Sequence, residues 1–249
     1  MRYWTSDWHL NSEIVRQTSH RPWKTAEEMN VALLKTVVVK TISDQIIHVG
    51  DLIQSGKDRG TEIAKDKQLT WDQIARTCAC QLICVEGNHD YSNDVPFICR
   101  SMKTRVGNYN VTVGHYPTWY KEAAGTFAYF GHSKTLPIHI CGHVHKAWKV
   151  AFDTQNCVLN INVGIDAHKY KLLSDADLVK LISRGMQWYK YMNTYADHWF
   201  GDGYSFADWE KNVAKQKATK AASKHAKMLE WLKANKPEIY EAKMKRESK

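Results

Sequence analysis

The stretch "LICVEGNHD", Leu82 to Asp90, carries three polar side chains directly after a run of apolar residues. The apolar part has the character of a buried strand, and Asn88, His89 and Asp90 can each bind a ligand or a metal. Gly87 between the two parts permits a tight backbone turn. Because sites in open α/β sheets form beyond the carboxyl ends of strands, this stretch predicts a functional cluster at the end of a core strand.

The same change from apolar to polar residues recurs at four further predicted strands. "YWTSDWH" ends on Asp7 and His9, "IIHVGD" on Asp51, "VTVGH" on His115, and "HICGHVH" on His143 and His145. Each signal has an ordinary alternative, since Asp-x-His can be a helix N-cap with a surface histidine and Gly-Asp can be a simple turn. Their joint occurrence in this order favours one site where the five strand ends converge.

These candidates form a ligand set of carboxylates, one amide oxygen and several imidazoles. Such a mixed set suits Mn, Fe or Zn better than Mg or Ca. One ion with open positions needs only three or four protein ligands, so the sequence predicts a pair of divalent ions about 3.5–4 Å apart. We expect Mn²⁺ as the favoured cofactor, with Fe, Zn or Ni as alternatives, and Asp51 as the bridging ligand.

The first half of the chain alternates predicted strands and helices in a βαβ series. Thr25 and Glu28 form a predicted capping box, which starts the first long helix near residue 25. Beyond residue 105, closely spaced strands predict a second sheet. A helical pattern from Ser174 is followed by a linker and a Lys-rich helix. We therefore predict a catalytic domain at residues 1–195 and a helical extension at residues 196–249.

These motifs resemble those of the calcineurin-like metallophosphoesterases, and look most like the small stand-alone members from bacteria and bacteriophages. The resemblance spans about Tyr3 to Ile182 and rests on "TSDWH", "VGDL", "EGNHD", "GHYP", "CGHVH" and "NVGID". It implies an α/β fold, a sandwich of two mixed sheets flanked by helices, here with a basic helical extension at the C-terminus. It also implies metal-dependent hydrolysis of phosphate mono- or diesters.

The resemblance further implies a role for each motif residue. The first metal would be held by Asp7, His9 and His145, and the second by Asn88, His115 and His143, with Asp51 bridging the two. A hydroxide bridging the metals would attack phosphorus. His89 would lie over the phosphate and protonate the leaving oxygen, with Asp90 orienting it. Histidine suits this role because it titrates near neutral pH.

The sequence also departs from these relatives and leaves the substrate open. Asn11 and Ser12 stand where many small members have Gly-His, so one substrate-contacting imidazole is missing. Trp8 and Trp119 are placed to meet a substrate, and Arg21 either reaches a phosphate or is structural. We expect a small phosphodiester or a nucleotide as substrate, selected by the loops at residues 52–70 and 116–135.

Positive charge is concentrated at the end of the chain. The formal charge is +9, and residues 211–249 contain twelve Lys and Arg residues against four Glu residues. This makes nucleic acid a candidate partner of residues 211–249, and a metal-dependent nuclease guided by this tail is one alternative function. A catalytically weak metal-binding scaffold is another.

The six cysteines lie mostly in apolar runs without a leading apolar signal segment, so we expect reduced core thiols in a cytoplasmic protein with no membrane partner.

Overall fold

The computed structural model of the chain describes residues 1–38, 40–54, 63–90, 95–123, 136–194, 205–236, 238, 240–241 and 244. The chain divides into two compact units, residues 1–198 and 199–249. Most of the predicted linker, residues 195–204, lies outside the described residues. Each unit is therefore described by itself.

The described part of the first unit contains nine strands and four α-helices. The strands are β1 (Arg2–Thr5), β2 (Gln45–Val49), β3 (Gln81–Val85), β4 (Ser101–Val106), β5 (Tyr109–Gly114), β6 (Ile138–Cys141), β7 (Val150–Asp153), β8 (Val158–Asn162) and β9 (Leu173–Ser174). The helices are α1 (Glu13–Thr18), α2 (Ala26–Val38), α3 (Trp71–Thr77) and α4 (Asp175–Thr194).

The first sheet has the strand order β3-β2-β1-β9. Its strands β1, β2 and β3 are parallel, and β9 pairs antiparallel with β1. Helix α2 buries Met29, Leu33 and Val37, which recur every four residues and so share one face. The predicted βαβ series is confirmed, although the short helix α1 was not predicted.

The predicted capping box of α2 forms only in part. The Thr25 hydroxyl accepts a hydrogen bond from the Glu28 backbone N–H at 3.2 Å, as expected. The Glu28 carboxylate, however, accepts from the backbone N–H of Lys24 at 2.9 Å, one residue before the expected donor. The helix nevertheless begins at Ala26, so one side-chain cap is enough to define this start.

The second sheet has the strand order β4-β5-β6-β8-β7 and confirms the predicted strand-rich half. Strands β5, β6 and β8 are parallel, while β4 and β7 pair antiparallel at the edges. Ser6, just after β1, forms a parallel bridge with Gly164, just after β8. The carboxyl ends of the two sheets therefore meet, and the expected α/β fold of two mixed sheets flanked by helices is confirmed.

All six cysteines are free thiols. The expectation of core thiols holds for Cys80, Cys84 and Cys141, which are buried, but not for Cys157, which is exposed. Cys157 lies in the turn between β7 and β8, where the backbone adopts a φ of 54°. An apolar sequence context alone did not reveal this turn.

The described part of the second unit contains one long helix, α5 (Phe206–Asn235), which confirms the predicted Lys-rich helix. Ser205 caps it, because its hydroxyl accepts from the Asp208 backbone N–H at 3.2 Å. Among the described residues, no helix combines the length and apolar character that a membrane span requires.

Candidate metal centre

The structure brings the predicted ligands together where the parallel strands end. Ligand atoms within 4.8 Å of one another define three sets: Asp7, His9 and His145; His9, Asp51 and His89; and Asp51, His115 and His143. Asn88 joins the last set, because its Oδ1 lies 3.1 Å from His115 Nε2 and 3.2 Å from His143 Nδ1. We call Asp7, His9 and His145 the first ligand group. The second ligand group is Asn88, His115 and His143.

Asp51 lies between the two ligand groups. Its Oδ2 is 3.5 Å from His9 Nε2 and 3.1 Å from His115 Nε2. Its Oδ1 accepts a hydrogen bond from the His89 backbone N–H at 2.9 Å. One carboxylate oxygen thus faces one imidazole from each group, which is the position that a bridging ligand requires.

The backbone at this site is strained. Five of the predicted ligands have positive φ angles: Asp7 (58°), His9 (47°), Asp51 (60°), His143 (69°) and His145 (48°). Residues other than glycine rarely adopt this region, at a cost of about 1–3 kcal/mol each, and such strain clusters at functional sites. The strain is therefore an indication of function that does not depend on the side-chain chemistry of this cluster.

Glycines next to the ligands allow the close approach of neighbouring chain segments. A Cβ at Gly87 would collide with the backbone amide and carboxylate of Asp51, and a Cβ at Gly142 would collide with Ser6 and the Asp7 carboxylate. These glycines are therefore needed mainly for space. Gly50, which precedes Asp51, differs from these two glycines because its backbone also adopts the left-handed region, at φ 86°.

His145 is held by a buried ion pair that the sequence did not reveal. Its Nδ1 lies 2.8 Å from Asp166 Oδ2, and Arg21 donates to both oxygens of Asp166 at 2.8 Å. Burial would raise the pKa of Asp166, but the bonds from His145 and Arg21 lower it. Because Nδ1 faces this carboxylate, Nε2 is the ring nitrogen of His145 that would bind a metal ion.

Arg21 is structural, so the expectation that it could reach a phosphate is wrong. Its side chain is 0% exposed in the pair with Asp166. It also donates to the backbone carbonyls of Asp7 and Trp8 at 2.6 Å each. The guanidinium therefore fixes the turn that carries Asp7 and His9.

His9 shows most directly that the donor set fits a cation. Its Nδ1 lies 3.2 Å from Gln54 Oε1, while its buried Nε2 has no hydrogen-bond partner among the described residues. Burial lowers the pKa of His9 well below its usual value, so the ring is neutral. The Nε2 lone pair then faces the Asp51 carboxylate, an arrangement that a positive ion between them would stabilise.

The second ligand group shows the same need for positive charge. Burial would lower the pKa of His115, but the charge and hydrogen bond of Asp51 raise it to about 9. Burial and the nearby His115 lower the pKa of His143 to about 4. A proton on His115 thus supplies the positive charge between Asp51 and Asn88, where the donor set would hold a metal ion. The residues present fit a divalent cation in each group.

His89 and Asp90 occupy different positions beside the cluster. The half-buried His89 ring lies 5.0 Å from the His9 ring, at the edge of the ligand groups. Asp90 is buried, and its carboxylate accepts from the backbone N–H groups of Asp51, Leu52 and Gly87 at 2.7, 2.8 and 2.9 Å. These bonds tie the Asp51 turn to the turn that carries Asn88 and His89. The orientation of the His89 ring by Asp90 stays a prediction.

The two tryptophans expected near a substrate differ. Trp8 is 0% exposed and donates to Thr5 Oγ1 at 2.8 Å, so its predicted contact with a substrate is wrong. Trp119 is 42% exposed and lies 5.5 Å from the Trp148 ring. Parts of the two loops expected to select the substrate, residues 55–62 and 124–135, lie outside the described residues.

Asn11 and Ser12, the departures from the related sequences, have structural roles. Asn11 Oδ1 accepts from the Leu69 N–H at 2.9 Å, and Ser12 Oγ accepts from the Val15 N–H at 3.1 Å. Both side chains therefore hold the segment of the chain that follows His9.

Comparison with solved structures finds matches at low sequence identity. A protein of unknown function from Aquifex aeolicus is 19% identical with a TM-score of 0.52, over 73% of this chain and 98% of that chain. The phosphoesterase Yfce from E. coli is 12% identical with a TM-score of 0.36, over 65% of this chain and 77% of that chain. An archaeal phosphodiesterase is 14% identical with a TM-score of 0.31, over 66% of this chain and 82% of that chain.

No curated protein sequence matches the chain. The family model for the calcineurin-like phosphoesterase superfamily domain matches residues 4–169. This range contains every predicted metal ligand and both predicted catalytic residues. On this match, the chain belongs to the calcineurin-like phosphoesterase superfamily.

Proposed function

We propose that this protein is a dinuclear metal-dependent phosphoesterase that hydrolyses phosphate mono- or diesters, with a small phosphodiester or a nucleotide favoured. The observation that carries the proposal is the position of Asp51 Oδ2, 3.5 Å from His9 Nε2 and 3.1 Å from His115 Nε2. One carboxylate that serves two ligand groups is the arrangement that two neighbouring ions need. Membership of the phosphoesterase superfamily supports the reaction class.

Each ligand group would hold one ion, and Asp51 would bind both. The nitrogen and oxygen donors favour Mn²⁺, with Fe, Zn or Ni as alternatives. When bound, such ions lower the pKa of water and neutralise charge on a phosphoryl group. The chain itself supplies orientation: Asp166 and Arg21 fix His145, and Asp90 fixes the turn that carries Asp51.

His89 is the residue we assign as the general acid. Its ring lies at the edge of the ligand groups, and its backbone N–H is held by Asp51 Oδ1. From this position it would give a proton to the departing oxygen of the ester, a contribution of about 10²–10⁴ in rate for a well-placed group. After this transfer, the His89 ring would take up a new proton from solvent.

The proposal is tested by phosphate ester hydrolysis with the full-length protein. Chelator-treated protein should hydrolyse mono- and bis-p-nitrophenyl phosphate only after Mn²⁺ or another divalent metal is added. His115→Ala should abolish this activity, whereas His225→Ala, a change of the same type on α5, should not. Metal-loaded protein that hydrolyses neither ester would favour the metal-binding scaffold instead.

One observation favours a second candidate, a nuclease guided by the basic helix. Lys217, Lys220, Lys224 and Lys227 recur every three or four residues on α5, so they share one face. Such a face attracts nucleic acid phosphates without sequence preference. We rank small esters first because residues 1–210, which contain all the motifs, carry almost none of the net charge.

A further inference from the structure

A cavity adjoins the second ligand group. It has a volume of about 300 Å³, and its wall includes Glu86, Asn88, Arg100, His115, Tyr116 and Glu122. Asn88 and His115 belong to the predicted metal centre, so the cavity opens directly beside the place where a phosphate would bind. The organic group of the ester therefore has room in this cavity.

The charged groups of this wall do not balance. Arg100 Nε donates to Glu86 Oε2 at 2.7 Å, so the Arg100 guanidinium is already paired with a carboxylate. Glu122 is exposed, and it has no ion pair or hydrogen bond within the part of the chain that the structure describes. Within the described residues, the Glu122 charge is therefore left without a countercharge beside the second ligand group.

The backbone holds both sides of the wall in place. The Glu86 N–H donates to the Cys99 carbonyl at 3.1 Å, which joins the segments that carry Glu86 and Arg100. On the other side, the Ala123 N–H donates to the Tyr120 carbonyl at 3.0 Å.

Thr118 anchors the second side of the wall to the second sheet. Its N–H donates to Asn160 Oδ1 at 3.0 Å, and its hydroxyl donates to the Asp153 carboxylate. Thr118 is 3% exposed, so these bonds are shielded from solvent. The segment that presents Tyr116 and Glu122 is thus fixed at its centre, which favours a formed binding site over a chance gap.

We propose that this cavity binds the organic group of the substrate and selects phosphoesters whose organic group carries a positive charge or hydrogen-bond donors. The inference rests on the proposed function. An ammonium or amino group would donate to the Glu122 carboxylate, which accepts no hydrogen bond from the residues that the structure describes. A second phosphate or a carboxylate would be repelled by the Glu122 carboxylate, while the Glu86 carboxylate offsets the attraction of Arg100.

The test compares three monoesters of similar size with the Mn²⁺-loaded full-length protein: 2-aminoethyl phosphate, propyl phosphate and carboxymethyl phosphate. We expect kcat/KM for phosphate release to decrease in this order, by about fivefold per unit of charge, as partly solvated charges interact by roughly 1 kcal/mol. Glu122→Gln should reduce the ratio between the first and third esters. Glu27→Gln, the same change on the surface of α2, should leave the ratio as it is in the wild type.

Three results would overturn the inference. These are equal kcat/KM values for the three esters, an unchanged ratio in Glu122→Gln, and a preference for the carboxymethyl ester that is lost in Arg100→Gln. Failure of the proposed function is distinct, since then neither these esters nor the mono- and bis-p-nitrophenyl esters would be hydrolysed. Calorimetric binding of the same esters tests the cavity without turnover: the same order of affinity supports it, and equal affinities contradict it.

Discussion

His145 Nδ1 and Asp166 Oδ2 lie 2.8 Å apart, on a carboxylate whose two oxygens are also bound by the Arg21 guanidinium. This contact joins a predicted metal ligand to a fully buried arginine through one side chain. The ring orientation of His145 therefore depends on an ion pair with no exposure to solvent. We therefore expect stability and metal binding to be coupled at this point of the molecule.

Loss of Arg21 should strongly destabilise the fold. Arg21→Gln leaves the buried Asp166 without its countercharge, so we expect the free energy of unfolding to fall by about 3–5 kcal/mol. Arg100→Gln breaks an ion pair whose arginine is 82% exposed, and it should cost less than about 1 kcal/mol. Urea unfolding of the chelator-treated protein measures both. If Arg21→Gln lowers the free energy of unfolding by no more than Arg100→Gln does, the Arg21 pair does not hold the turn.

His89→Asn should separate catalysis from metal binding. Because we assign His89 as a proton donor, kcat should fall by about 10²–10⁴ while the metal content stays at the wild-type level. His89 shares a possible ligand set with His9 and Asp51, so this result is not trivial. Metal analysis and steady-state kinetics on the same preparation decide it. Loss of metal in this variant would make His89 a ligand and remove the general-acid assignment.

The buried His139 should make stability depend on pH. Its Nδ1 lies 2.8 Å from Thr112 Oγ1 and its Nε2 3.0 Å from the Tyr116 carbonyl, and burial lowers its pKa from 6.5 to about 4. The unfolded chain therefore binds this proton at a higher pH than the folded chain does. The stabilising contribution is complete above pH 6.5 and falls as the pH decreases towards 4, by about 1.4 kcal/mol per pH unit.

His139→Gln supplies the matched measurement, because glutamine keeps hydrogen-bonding groups but does not titrate. Urea unfolding of wild type and variant between pH 7.5 and pH 4, both with chelator, gives the slope of the free energy of unfolding for each. The variant should show the smaller slope. Parallel slopes would mean that His139 keeps an ordinary pKa in the folded protein.

Neutralising one face of α5 tests the nuclease alternative. We expect the fourfold change of Lys217, Lys220, Lys224 and Lys227 to Gln to leave kcat/KM for a small diester unchanged. The control is the same change at Lys211, Lys215 and Lys233, on the opposite face of the helix, and at Lys236, which directly follows it. The nuclease alternative would be correct if wild-type cleavage of an oligonucleotide falls steeply with salt and only the first variant loses this cleavage. The remaining binding of that variant should depend less on salt, because fewer phosphate contacts release fewer counterions.

The regular parts of the fold could be predicted because they follow local patterns. The buried face of α2 repeats every four residues, and the apolar strands end on polar residues. These patterns gave both sheets, and placed the candidate ligands at strand ends that the structure brings together. Helix α1 was not predicted, because its six residues are too few to show the periodicity of apolar residues that marks a helix.

Other features depend on contacts or backbone angles that no local pattern contains. Trp8 was expected at the substrate because it stands between two candidate ligands, yet it is buried. The positive φ angles of Asp7 and His9 change the direction of successive side chains, so the alternation of an extended strand does not apply. Asp166 reaches Arg21 across 145 positions, which only the tertiary fold brings together.

The number of ions per chain is the most direct test of the dinuclear site. Mn²⁺ is added stepwise to chelator-treated wild type and Asp51→Asn, and bound metal and ester hydrolysis are measured on the same samples. We predict that the wild type binds two ions and gains full activity only with the second. The Asp51→Asn variant should lose occupancy of both ions together. Saturation of the wild type at one ion, or one fully occupied ion in the variant, would contradict the account.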